Sequence, residues 1–300
     1  MNPLSELRVR TRVPPEQIEQ VKGKNLTPAD WDIMLTGPAY VRRPDGKPLA
    51  VYLPGVMGKF TRDDATYAIL DAMGRSGKTG NRGLAGATPS LPRGTQKRSY
   101  AKPVHSNVIG AVDAMSIYKF CRTTVWTGAH LDQWQQLFPV FAEVAGYLER
   151  YVPERYAAQV AAVANTRPEW VVPGTPFSTI TVNHTYPTGV HVDDGDLEAG
   201  FSTIFCARSG FYTGGQLCFP EYRVAVDLKD GDLLLMDAHS YHGNAKIVCE
   251  CMRTLDAPCK QCGAGRVSVV TYFRTKLQDC GTPEEELEKA RSRRELKVDG

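Results

Sequence analysis

"GVHVDDGDLEAG", residues 189–200, sets His191, Asp193, Asp194 and Asp196 within six positions of a region otherwise rich in β-forming residues. In an extended strand successive side chains alternate faces, so His191 and Asp193 point the same way and can grip one ion. H-x-D alone arises by chance, and such a pair at a turn more commonly makes a hydrogen bond or a cap. A third ligand is required. Forty-nine residues beyond Asp193, "MDAHSYHGNAKI" (236–247) closes an apolar strand and offers His239 and His242. Strand parity leaves the choice between them open, because residues three apart cannot both face the ion. Two imidazoles and one carboxylate, with the remaining positions left to water, dioxygen and a co-substrate, suit Fe(II) oxygen chemistry.

Working outward, "GRVSVVTYFR" (265–274) supplies Arg266 and Ser268 on one face of the last core strand, 24 residues after His242. A guanidinium fork there can take the far carboxylate of a dicarboxylic co-substrate while its 2-oxo acid end chelates iron. The serine hydroxyl adds a hydrogen bond. Arg274 shares the parity of Arg266 but lies at the far end of the strand, too distant for the same task. Asp194 reads as a turn residue facing solvent.

After Pro176 the chain consists of short β-rich runs, "FSTITVNHTY", "FSTIFCA", "GQLCFP", "YRVAVDL", "DLLLMD" and "RVSVVTYF", separated by Gly, Asp and Pro turns. That pattern predicts a β-sandwich, jelly roll or barrel. Before it, residues 130–165 carry an apolar stripe at three- and four-residue spacing, Trp134, Leu137, Phe138, Phe141, Val144, Ala145 and Leu148, interrupted by Pro139 and Pro153. Two or three helices are expected there. Residues 1–30 are polar and proline-interrupted and read as a lead-in that packs late or not at all. The tail, 281–300, reads as a charged helix with a solvated face.

The 300 residues, 42% hydrophobic and 23% charged, are enough for a substantial core. No run of eighteen apolar residues occurs and the N-terminus lacks the apolar core of a signal peptide, so an intracellular protein without a membrane span is expected. The net charge of +3 is small but unevenly spread: Arg75, Lys78, Arg82, Arg93, Lys97, Arg98 and Lys102 fall where no acidic residue stands. The Gly- and Pro-dense segment 74–103 therefore reads as a long basic loop, either solvated or gripping phosphate.

Eight cysteines in such a chain suit metal ligation or burial better than a set of disulfides. "CECMRTLDAPCKQC" (249–262) holds Cys249, Cys251, Cys259 and Cys262, four thiols in fourteen residues, spaced for a tetrahedral structural zinc. Cys121, Cys206, Cys218 and Cys280 are scattered, and the middle two alternate with strand apolars as core residues do. "AMGRSGKTG" (72–80) ends like a phosphate-binding loop, but Ala72 stands where the first glycine belongs and a helix-like stretch precedes it. Nucleotide binding is not expected.

H-x-D, a distal His in "HGN" and R-x-S on a final strand together resemble the 2-oxoglutarate and Fe(II) dioxygenases. "TITVNHTYPTGVHVDDGDLEAGFS", "GGQLCFPEYRVAVDLKDGDLLLMDAHSYHGN" and "RVSVVTYFR", with "VHSNVIGAVD" and "CRTTVWTGAHLDQWQQLFP" upstream, resemble more narrowly the TET/JBP branch, in its smaller phage or microbial form. The resemblance runs from roughly 100 to 276. It implies an α+β chain with a double-stranded β-helix (jelly-roll, cupin-like) core and N-terminal flanking helices, the dioxygenase domain spanning 31–280. Within it, 249–262 is a zinc-binding insertion. It further implies iron held by His191, Asp193 and His242, with Arg266 and Ser268 on 2-oxoglutarate.

The reaction implied is hydroxylation of the 5-methyl group of a DNA pyrimidine, from a base flipped out or already single-stranded. Asp196 falls where members of the family place a polar side chain against the base, and a carboxylate there accepts from the N4 amino group of cytosine. This favours 5-methylcytosine over thymine. Asn107 occupies the place of a second base contact, and Lys97 and Arg98 of the basic loop become phosphate contacts. A chain acting on DNA is expected in the cytoplasm of a bacterial or phage-infected cell, or in a nucleus. The competing reading is a non-catalytic cupin-like DNA-binding module.

Overall fold

The computed structural model describes residues 4–57, 70, 104–115 and 118–298; the basic segment 74–103, with Lys97 and Arg98, and the 72–80 stretch lie outside the described residues. The chain forms two compact units. One is Met1–Asn107 with Val182–Asp193 and Ile204–Val269; the other is Val108–Thr181 with Asp194–Thr203 and Val270–Gly300.

In chain order the strands are β1 (Ser5–Arg8), β2 (Ile33–Leu35), β3 (Ala39–Arg42), β4 (Pro48–Leu53), β5 (Ser106–Val112), β6 (Arg122–Thr123), β7 (Thr179–His184) and β8 (Ser202–Ser209). There follow β9 (Tyr212–Gly214), β10 (Leu217–Phe219), β11 (Val224–Val226), β12 (Leu233–Met236), β13 (Gly243–Asn244), β14 (Ile247–Cys249), β15 (Thr254–Leu255) and β16 (Gly265–Tyr272). They build a nine-stranded sheet ordered β1-β3-β4-β12-β8-β16-β7-β5-β6, a four-stranded sheet β13-β10-β11-β2 and a small sheet β15-β14-β9.

The apolar runs explain the centre of the first unit. β12, "LLLM", and β4, "PLAVYL", pair antiparallel, Leu234 opposite Tyr52, and every residue of β12 is buried. β4 returns from β3 through a turn in which Asp45 Oδ1 accepts from Lys47 N at 3.0 Å.

Residues 4–30 are part of this packing, against the expectation of a loose lead-in. β1 runs parallel to β3, and Ile18 and Leu26 are buried with Val190, Cys218 and Ala225. Gly23 N donates to Val190 O at 2.8 Å, and Val190 N to Lys24 O at 2.9 Å. The segment thus braces the residue before His191. Single apolar residues between prolines show no period, which is why pattern alone missed them.

In the second unit the helices Val125–Ala129, Leu131–Gln136, Phe138–Tyr151 and Pro153–Ala164 answer the periodic stripe. Pro139 and Pro153 sit in first turns, where the missing N–H costs no intrahelical bond. These helices precede β7 but follow five strands.

Two expectations are corrected here. Cys121 and Cys280 form a disulfide, with Cα atoms 6.0 Å apart, where no disulfide was expected. The terminal helix Pro283–Val298 is not solvated all round: Glu286 is 2% exposed and accepts from Cys121 N. Among the described residues no helix is long and apolar enough to cross a membrane.

Candidate active site

His191 and His242 meet as a single antiparallel bridge, with His191 N on His242 O at 2.9 Å and His242 N on His191 O at 3.0 Å. The expected strand through 191–193 is reduced to this one bridge. Asp193 is placed instead by its own N–H, which donates to Ala238 O at 3.0 Å. Asp193 Oδ1 lies 3.6 Å from His191 Nε2, and Oδ2 lies 3.7 Å from His242 Nε2.

Each imidazole is oriented by a carbonyl. His191 Nδ1 is 2.8 Å from Gly189 O, and His242 Nδ1 is 3.0 Å from Ser240 O. A carbonyl only accepts, so both Nδ1 atoms carry the proton and both Nε2 lone pairs point at the carboxylate. Backbone acceptors that fix the tautomer in this way characterise metal-ligating histidines. The three donor atoms lie within 4.8 Å of one another, within reach of one ion at about 2 Å from each. The donor set, two neutral imidazoles and a carboxylate, fits ferrous iron with open positions.

His239 is not part of this group: its Nδ1 lies 3.4 Å from Asp237 Oδ1, and its side chain is 27% exposed. Asp237 is buried and also takes Arg43 Nη1 at 3.0 Å, which fixes the loop that carries both Ala238 and His242.

Arg266 and Ser268, two apart on β16, are both buried. Arg266 Nη1 donates to Gly215 O at 2.6 Å, and the guanidinium has no carboxylate partner among the described residues. A buried cation left without a counter-charge is costly, and an anionic ligand would remove that cost. Gly215 permits the approach: its φ is +76°, and a Cβ there would stand 3.0 Å from Arg266 Nη1. Neither this carbonyl nor those at 189, 238 and 240 was legible from side-chain type.

The other expected site residues are not assembled with the triad in this way. Asp196 belongs to the second unit, where its carboxylate takes Ser202 Oγ at 2.9 Å and it bridges to Arg274. Arg274 is held by Asp113 through Nε at 2.5 Å. Asn107 is buried on β5. Asp194 is exposed.

Cys249, Cys251, Cys259 and Cys262 form the second cluster of converging donors. The N–H groups of Cys262 and Gln261 hold the Cys259 thiol down at about 6, whereas burial pushes Cys251 up to about 12. One thiolate formed at neutral pH beside three thiols is a site ready for a soft divalent cation such as zinc. Cys206 and Cys218 are buried in the core.

Residues 115–275 match the Tet_JBP family, the oxygenase domain of the 2OGFeDO superfamily. The chain is 34% identical over 157 residues to thymine dioxygenase JBP1 of Leishmania braziliensis, covering 52% of this chain and 18% of that protein. It is 28% identical over 258 residues to thymine dioxygenase JBP1 of Trypanosoma brucei brucei, covering 83% and 27%. The chain therefore spans about a quarter or less of the length of these relatives. Among solved structures it resembles NgTET1 in complex with 5mC DNA, with a TM-score of 0.57 at 13% identity over 97% of this chain and 91% of that one, a likeness of fold.

Proposed function

Because the chain belongs to the Tet_JBP family of oxygenase domains, we propose that it is an Fe(II)- and 2-oxoglutarate-dependent dioxygenase that hydroxylates the 5-methyl group of a pyrimidine in DNA. The observation that carries this reading is the convergence of His191 Nε2, His242 Nε2 and the Asp193 carboxylate, with both Nδ1 protons committed to backbone carbonyls. Iron and 2-oxoglutarate, when bound, supply the oxygen activation that removes a methyl hydrogen and returns hydroxyl. The chain's own residues supply position. His191, Asp193 and His242 hold one face of the metal, and Arg266 with Ser268 seats the far carboxylate of the co-substrate in a buried place that excludes water.

The base we assign first is 5-methylcytosine, since a carboxylate at Asp196 accepts from its N4 amino group. Asn107 serves as a second base contact, and Lys97 and Arg98 as phosphate contacts, so affinity for DNA falls steeply with salt. Thymine is the second reading, favoured by the thymine dioxygenases among the relatives. A duplex hides the methyl group from iron, so the base is flipped out or single-stranded. Such a chain works where the genome is, in a bacterial or phage-infected cytoplasm or in a nucleus. Its Cys249–Cys262 cluster carries structural zinc.

Nucleoside mass spectrometry after incubation with iron, 2-oxoglutarate and either 5-methylcytosine or thymine DNA tests the assignment. Hydroxymethyl base is expected from one of them, and its loss in His191→Ala and Asp193→Ala. Succinate formed without any oxidised base moves the substrate outside DNA. DNA binding without turnover, unchanged in the ligand variants, supports the non-catalytic module instead.

A further inference from the structure

Tyr212, the first residue of β9, is 7% exposed, and its hydroxyl is buried without a hydrogen-bond partner among the described residues. The ring itself is firmly placed. It stands opposite Cys249 in the β9–β14 pairing and packs with Ile247, Leu255, Cys259 and Ala264. The Arg208 guanidinium covers one face, 4.9 Å from the ring centroid. A phenol so held cannot swing to find a partner, and folding gains nothing from leaving the donor idle.

The charges around it show what is missing. Burial pushes the phenol up to about 12, with Arg266 the foremost opposing influence and Arg208 next. The group therefore stays protonated and can only be a donor toward an anion. Arg208 is neutralised by its ion pair with Asp227. Arg266, which has only the neutral Gly215 carbonyl, is not. An idle O–H, an unneutralised guanidinium and no carboxylate nearby together describe a seat for a carboxylate supplied from outside the chain.

We propose that the Tyr212 hydroxyl is a second donor to the distal carboxylate of the 2-oxo dicarboxylic acid that Arg266 holds, and that it makes the protein discriminate against 2-oxo acids lacking that carboxylate. This rests on the co-substrate reading given under Proposed function. It adds a residue from a different strand, next to the cysteine cluster, so the thiols that hold Cys249 and Cys259 also keep the phenol in place.

Tyr212→Phe removes one oxygen and keeps the ring, its packing and its contact with Arg208. Titration calorimetry with Mn(II) in place of iron reads the binding of 2-oxoglutarate and of 2-oxobutyrate, without any turnover. The expected result is a rise in the 2-oxoglutarate Kd of about tenfold to a hundredfold, with 2-oxobutyrate binding and the thermal midpoint unchanged or improved. An unchanged 2-oxoglutarate Kd in Tyr212→Phe, alongside a large loss in Arg266→Ala, removes Tyr212 from the seat and leaves the co-substrate assignment standing. Equal weakening of both 2-oxo acids makes the tyrosine a packing residue and also overturns the proposal. If the parent protein does not bind 2-oxoglutarate at all, the seat and the proposed function fall together.

Discussion

Asn244 and Arg266 donate to one acceptor: the carbonyl oxygen of Gly215 takes Asn244 Nδ2 at 3.2 Å and Arg266 Nη1 at 2.6 Å. Asn244 stands two residues after His242, and its Oδ1 accepts from Thr188 Oγ1 at 2.8 Å, three residues before His191. One side-chain amide therefore ties both histidine-bearing segments to the strand turn that anchors the guanidinium. Geometry at the metal ligands and at the co-substrate seat is coupled through a group that touches neither ligand.

Asn244→Ala leaves the buried Thr188 hydroxyl and half of the Gly215 acceptor unmet. Urea denaturation is expected to show a loss of about 1–3 kcal/mol. Titration calorimetry of the same variant is expected to show weaker binding of both Mn(II) and 2-oxoglutarate. A loss confined to stability, with both affinities kept, makes the amide a fold residue only.

The cysteine cluster gives a prediction about metal content. Purified protein is expected to carry one equivalent of zinc by elemental analysis, retained less well as the pH is lowered, because protons compete for the thiolates. Cys259→Ser removes the thiol that ionises most readily and is expected to lose zinc and lower the thermal midpoint. Full zinc occupancy in that variant, or none in the parent protein, contradicts the site.

How much of this was readable in the chain depends on whether the information is local. His191 and Asp193 announce themselves by type and spacing, and the "DLLLMD" run places a histidine-bearing turn at a strand end. The choice of His242 over His239 needed the family resemblance, and in the structure it rests on one bridge and one carbonyl. β1 and the packing of residues 4–30 left no periodic trace, since their burial depends on isolated residues such as Ile18 and Leu26. Gly215 and Tyr212 matter through a backbone oxygen and an unpaired hydroxyl, neither of which a residue type reveals. The Asp196–Arg274 bridge and the Cys121–Cys280 bond join residues remote in sequence, and no pattern on either side points to its partner.

The Cys121–Cys280 disulfide spans 159 residues of chain. Closing so long a loop restricts the unfolded ensemble, worth up to about 5 kcal/mol in the chain-entropy account. Reduction with dithiothreitol, or Cys121→Ser, is expected to lower the urea midpoint, while Cys206→Ser has no effect through this bond. Peptide mapping after alkylation checks the pairing directly. Equal midpoints with and without reductant mean that the bond adds no stability.

Glu286 ties the terminal helix to the strand that carries Cys121. Its buried carboxylate accepts from Cys121 N at 2.7 Å and Gly281 N at 2.9 Å, and it pairs with Lys289. Burial pushes the carboxyl up, but the Lys289 ammonium and the two N–H groups outweigh it, so it titrates below its ordinary 4.5. The folded chain then binds this proton less readily than the unfolded chain. The stabilisation is complete above the ordinary value and is lost as the pH falls through the depressed one. Glu286→Gln keeps the shape but turns one acceptor into a donor facing an N–H. Denaturation across a pH series is expected to find the variant less stable than the parent at neutral pH, with the gap shrinking in acid as the parent's carboxylate takes up its proton. A gap that stays constant with pH assigns the loss to hydrogen-bond shape alone, and the charge of Glu286 then has no part in holding the helix.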